Sequence, residues 1–116
     1  MKDYAIKVIK EEAQAIMNLI NFLDDDFSNC TKIILESNAR VILTGVGKSG
    51  LIGKKISTTL ASTGTPSFFL HPTEAFHGDL GMIKSEDIII AITNSGETDE
   101  VLKLIPFLII NSFIVS

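Results

Sequence analysis

Apolar residues recur every three or four positions near the start of the chain: Ile6, Ile9, Ala13, Ile16, Met17, Ile20 and Leu23. That is the period of one helical face, so residues 3–24 are predicted to form an amphipathic helix. Asp24-Asp25-Asp26 then stops it, because acids are unfavourable at the negative end of a helix dipole. Ser28 is placed to cap a second short helix over 29–37. The periodicity implies that this pair packs against the rest of the domain or against a partner subunit.

From Arg40 the period changes. Arg40-Val41-Ile42-Leu43-Thr44, Ser67-Phe68-Phe69-Leu70 and Asp87-Ile88-Ile89-Ile90-Ala91-Ile92 are short, nearly continuous apolar runs bounded by turn residues. Each reads as a strand buried on both faces. Residues 49–63 carry a helical pattern (Leu51, Ile52, Ile56, Leu60), ended by Gly64-Thr65-Pro66. His71 to Gly81 reads as a polar loop or short helical segment. A further helix is expected through Val101, Leu102 and Ile105, and a fourth strand at Phe113-Ile114-Val115. Alternation of strands and helices predicts an α/β fold with a parallel sheet between helical layers. Ligands of such sheets bind beyond the carboxyl ends of the strands, where the turns after strands one and three lie.

Composition narrows the class. In 116 residues, 46% are hydrophobic, so the chain can build a core and is not wholly disordered. The 18 isoleucines agree with a buried sheet. The net charge is −4, and Arg40 is the single arginine, which argues against a nucleic-acid or anionic membrane surface. One cysteine, Cys30, excludes an intrachain disulfide and suggests a reducing compartment. The N-terminus lacks the pattern of a signal peptide, so a cytoplasmic location is expected. The charge-free stretch from Leu104 to Ser116 is shorter than the roughly 18–20 residues of a membrane-spanning helix.

The turns hold the candidate chemistry. Gly45-Val46-Gly47-Lys48-Ser49-Gly50 matches G-x-G-x-x-G, but no acid stands at the tip of the second strand to hold a ribose, and Glu74 is a poor substitute. A P-loop is rejected, because its first glycine would have to be Ile42. A phosphate monoester site remains: glycines admit the ligand, Ser49 donates a hydroxyl, Lys48 adds charge and the next helix offers free amides. A plain βα turn with an exposed lysine gives the same pattern. The second turn, Thr93-Asn94-Ser95-Gly96-Glu97-Thr98, places three hydroxyls and an amide before another helix. An ordinary N-cap accounts for one of those hydroxyls, not three. Two such turns on one sheet favour a sugar phosphate over a nucleotide. His71 and His77 follow the second strand. They could share a metal, though no third ligand is nearby, or meet sugar hydroxyls.

Val41–Gly50, then Ser62-Thr63-Gly64-Thr65-Pro66-Ser67-Phe68-Phe69, then His71-Pro72-Thr73-Glu74-Ala75-Phe76-His77-Gly78-Asp79-Leu80-Gly81, then Asn94–Thr98 together resemble the sugar isomerase (SIS) domain of arabinose-5-phosphate isomerases. The resemblance covers about residues 4–107. It implies a three-layer, flavodoxin-like α-β-α fold, with N-terminal helices over 1–38 and a partial SIS domain over 39–116. It implies interconversion of D-ribulose 5-phosphate and D-arabinose 5-phosphate through an enediol, for 3-deoxy-D-manno-octulosonate of lipopolysaccharide or capsule. By motif position, Lys48 and Glu100 resemble the catalytic lysine and glutamate. Ser49, Asn94, Ser95 and Thr98 resemble phosphate holders, and Gly64 and Thr65 substrate contacts. His77 resembles the substrate-contacting histidine, and His71 the metal-binding one. No cofactor is required, and a divalent metal at His71 would modulate or inhibit. A homo-oligomer whose neighbouring subunits complete the sites is implied too.

The segment 108–116 departs from the family pattern, which would continue with charged residues. Members also carry further strands, another glutamate and a later histidine. The sheet is therefore expected to be incomplete at the C-terminus, through a shifted frame or a chain that stops early, and the short chain to be poorly active. The alternative is a sugar-phosphate-binding SIS module without turnover.

Overall fold

The computed structural model describes residues 1–93, 103–104 and 112–115. They fall into two compact units, Met1–Ile33 and Ile34–Ser116.

The first unit holds α1 (Lys2–Asn18), a single 3₁₀ turn (Leu19–Phe22) and most of α2 (Asp25–Glu36). The long amphipathic pattern thus continues to Phe22 but tightens in its last turn, as helix ends commonly do. Among its apolar residues, Ile9, Ile16 and Ile20 are exposed. The acidic triplet has a different role from the one expected. Asp24 Oδ1 accepts the Phe27 N–H at 3.1 Å and caps α2, where an acid complements the positive end of the dipole. Ser28 lies inside the helix, its carbonyl accepting the Thr31 hydroxyl at 2.9 Å.

The second unit is a parallel sheet of β1 (Val41–Thr44), β2 (Ser67–Leu70), β3 (Ile88–Ile92) and β4 (Ser112–Val115), in the order β2-β1-β3-β4. All three strand pairs are parallel. This is the flavodoxin-like order, with β1 central because the chain first winds outward to β2 and then returns past β1 to β3. The register places Val41 beside Ser67 and Ile88, and Thr44 beside Leu70 and Ala91.

Each face of the sheet is covered. α3 (Gly47–Ser62) joins β1 to β2. It packs on the face of Leu43, Phe69 and Ile92, the side chains that a Cβ on Gly53 would meet first, at 3.4–3.6 Å. The other face presents Ile42, Phe68, Leu70 and Ile89 to Ala75, Leu80, Ile83 and Leu104. Ala75 belongs to α4 (Pro72–Ala75), and Leu80 to a 3₁₀ turn at Asp79–Met82. Val41, Ile42, Leu43, Ile88 and Ile89 are at most 1% exposed, so the continuous apolar runs follow from burial on both sides.

The amino ends of β1 and β3 are clamped. Arg40 donates from Nε and Nη2 to the two Asp87 carboxylate oxygens at 3.0 and 2.7 Å. Nη2 also reaches the Met82 carbonyl at 2.7 Å, which fixes the end of the segment carrying the histidines. Among the described residues, no helix is long and apolar enough to cross a membrane.

Candidate functional site

The turn from β1 into α3 is built by backbone contact. A Cβ on Gly50 would stand 2.7 Å from the Gly45 carbonyl oxygen, and one on Gly45 would stand 2.8 Å from the Ile92 carbonyl oxygen. Neither position admits a side chain without moving the helix or a strand. Gly47 begins the helix at φ 58°, in the left-handed region that glycine adopts without strain. The G-x-G-x-x-G spacing is therefore explained by close packing and one unusual backbone angle, with no nucleotide needed.

α3 begins without a side-chain cap, and its first internal bond runs from the Gly50 N–H to the Val46 carbonyl at 3.1 Å. The amides of the turn before Gly50 thus have no helical acceptor, and the dipole favours an anion there. Ser49 is buried within this turn, whereas Lys48 is exposed beside it. Among the described residues, neither Lys48 nor Lys54 is held in an ion pair.

A cavity of about 490 Å³ opens against this turn. Gly45, Gly47, Gly50 and Phe69 line it, and Lys54, His71, Thr73 and Glu74 bring polar groups. Its size lies within the ordinary range for small-molecule sites. His71 caps α4: its Nδ1 accepts the Thr73 N–H at 3.2 Å.

The structure gathers some of the expected site residues and separates others. Lys48, Ser49 and His71 lie at the carboxyl ends of β1 and β2, as the parallel sheet requires. His77 lines a separate, smaller cavity of about 180 Å³ with Phe76 and Lys103, and Thr73 borders both cavities. Gly64 and Thr65 lie at the opposite pole, before β2, where they line a cavity of about 410 Å³ with Ser37 and Asn38. A strand of four residues, roughly 10–13 Å, separates them from His71. Asn94, Ser95, Thr98 and Glu100 lie outside the described residues. Lys54 and Thr73 were not anticipated. Lys54 was legible in principle, because Gly47, Gly50, Leu51 and Lys54 follow the i, i+3, i+4, i+7 rule for one helix face. For a metal, the described residues contain no group of three or more His, Cys, Asp or Glu placed to hold one.

Fold and site together define the class. The SIS domain family model matches residues 33–110, and the chain belongs to that family. Among its relatives, the "Probable arabinose 5-phosphate isomerase" of Haemophilus influenzae is 60% identical over 97 residues, covering 84% of this chain and 29% of that protein. The arabinose 5-phosphate isomerase KpsF of Escherichia coli O6:H1 is 54% identical over 103 residues, covering 88% of this chain and 32% of its own length. The chain thus spans about a third of the length of these curated relatives. Among solved structures, c3406 of E. coli CFT073 in complex with A5P superposes with a TM-score of 0.81 at 43% identity, covering 100% of this chain and 66% of that one.

Proposed function

We propose that this chain supplies the phosphate-binding part of an aldose–ketose isomerase site acting on D-ribulose 5-phosphate and D-arabinose 5-phosphate. The observation that carries the reading is the uncapped first turn of α3 at the carboxyl end of β1, open to a cavity with His71, Lys54 and Glu74. A phosphate monoester suits such a turn, and the names of the relatives supply the sugar.

In the forward direction a base takes a proton from C1 of the ketose. The C2 oxygen gains a proton as the enediol forms. Return of a proton to C2 and loss of the one on O1 then give the aldehyde. Lys48, exposed next to the phosphate turn, is assigned to stabilise or shuttle charge, and Glu100 to move the proton. Ser49, with Asn94, Ser95 and Thr98, is assigned to the phosphate, and His77 to the sugar. The reaction asks for no cofactor. Gly64 and Thr65, at the far pole, would serve another subunit's site in a homo-oligomer, and the exposed apolar residues of α1 suit such an assembly. A cytoplasmic location and a role in supplying 3-deoxy-D-manno-octulosonate for lipopolysaccharide or capsule complete the proposal. The second reading is a sugar-phosphate-binding SIS module without turnover: the turn and cavity that suit a phosphate are in place among the described residues whether or not chemistry follows.

One experiment separates these readings. The protein is incubated with ribulose 5-phosphate, arabinose 5-phosphate is followed by NMR, and thermal shifts are measured with the sugar phosphate and with NAD. Turnover that falls by about a hundred-fold in Lys48→Ala, within the usual range for a positioned acid–base group, supports the isomerase. A shift without turnover supports the binding module. A shift with NAD alone refutes both.

A further inference from the structure

The His71 ring is held at two points. Its Nδ1 accepts the Thr73 N–H at 3.2 Å, and its plane stands at 75° to Phe69 with centroids 6.4 Å apart. A neutral imidazole carries one proton, so a ring whose Nδ1 accepts a hydrogen bond carries that proton on Nε2. Nε2 makes no hydrogen bond with any described residue, and His71 lines the 490 Å³ cavity. A metal-binding histidine needs the reverse polarity. It ligates through one bare nitrogen while the other donates its N–H to a carbonyl, carboxylate or water. Here the partner of Nδ1 is itself a donor, so ligation through Nε2 would leave two donors facing each other or break the cap of α4. No cluster of metal-ligating side chains is present among the described residues to repay that loss.

We propose that His71 is a fixed Nε2–H donor to an oxygen of the ligand in this cavity, and that it does not bind a divalent metal. The identity of the oxygen, on a sugar phosphate, rests on the function proposed above; the tautomer and the exclusion of metal do not.

The test uses the ¹⁵N-labelled chain at about pH 8. Long-range ¹H–¹⁵N spectra of its two histidines are assigned through His71→Asn. The expected spectrum shows His71 protonated on Nε2, with no change on adding zinc chloride. A proton on Nδ1, or a zinc-dependent shift of the His71 ring, overturns the proposal. The second arm measures affinity for arabinose 5-phosphate. Asparagine is a favoured N-cap, so His71→Asn keeps the α4 cap through Oδ1 while removing the Nε2–H; the amide N–H groups that remain stand on a shorter side chain and do not reach the Nε2 position. The melting point should hold while Kd rises about ten-fold, the scale of one hydrogen bond. Equal affinity in wild type and variant overturns the donor role. If the wild type binds no arabinose 5-phosphate, the sugar-phosphate reading fails, and the spectra alone decide the tautomer and the metal.

Discussion

Replacing Arg40 by alanine should destabilise the chain more than replacing its partner Asp87. The Asp87 side chain is 1% exposed and that of Arg40 30%. With Arg40 gone, the buried carboxylate keeps only the Lys84 N–H, 2.7 Å away. Removing one partner of a buried pair costs about 3–5 kcal/mol, and so deeply buried a carboxylate belongs in that range. Asp87→Ala instead strands a guanidinium that can turn to water, so solvent screening reduces the cost to about 1–3 kcal/mol. The two variants should therefore differ by about 2 kcal/mol at pH 7, or ~1 M in urea midpoint. The pH dependence has a fixed sign. Burial alone would raise the Asp87 pKa, but the Arg40 hydrogen bonds, the Lys84 N–H and the nearby positive charges outweigh it and hold it below the usual carboxylate value. Its contribution is thus fully present above about pH 4 and is lost as pH falls through the lower folded value. Urea titrations at pH 7 and pH 3 check this: the deficit of Arg40→Ala should shrink in acid. Equal losses for both variants, with a deficit unchanged at pH 3, would refute the charge-pair account and leave packing of Arg40 on Phe68, 5.1 Å from the ring centroid, as the cause.

Other changes test separate parts of the structure. Gly50→Ala should cost about 2–4 kcal/mol in chemical denaturation, because its methyl would meet the Gly45 carbonyl; Gly81→Ala, with nothing within 4 Å, should cost less than about 1 kcal/mol. Asp24→Ala removes the cap of α2 and should lower stability by about 1 kcal/mol, with a matching loss of ellipticity at 222 nm. Burial raises the Cys30 thiol pKa, so alkylation by iodoacetamide at neutral pH should be slower than for an unstructured cysteine peptide, and equal rates would contradict its placement.

The sheet was readable because strands buried on both faces leave an unbroken apolar run. β2 matched its predicted span, and β1 and β3 began one residue later than expected. At that edge the Ile88 N–H still donates to the Arg40 carbonyl at 2.9 Å, so Arg40 takes part in the pairing although it precedes the strand. Asp24 was misread because a charge between two helices belongs to whichever end it faces, and sequence order alone does not say which. The site was legible where main-chain geometry demands particular residues, as at Gly45, Gly47 and Gly50. It was less legible where residues far apart in sequence converge. Lys54 and Thr73 share a cavity only because α3 lies over β2. Gly64 and Thr65 come away from it because they precede that strand while His71 follows it.

The meeting of Gly45 and Gly50 also determines how this turn can drift. Both contacts are main chain against main chain, so no compensating change in a neighbouring side chain can make room for a larger residue. Between them, Val46 is half-buried and Lys48 exposed, and no such barrier holds them. A saturation library across 45–50 should return glycine alone at 45 and 50, a strong glycine preference at 47, where φ is 58°, and broad tolerance at 46 and 48. The chemistry of the turn can then be rewritten at its middle positions while the scaffold that presents it stays the same.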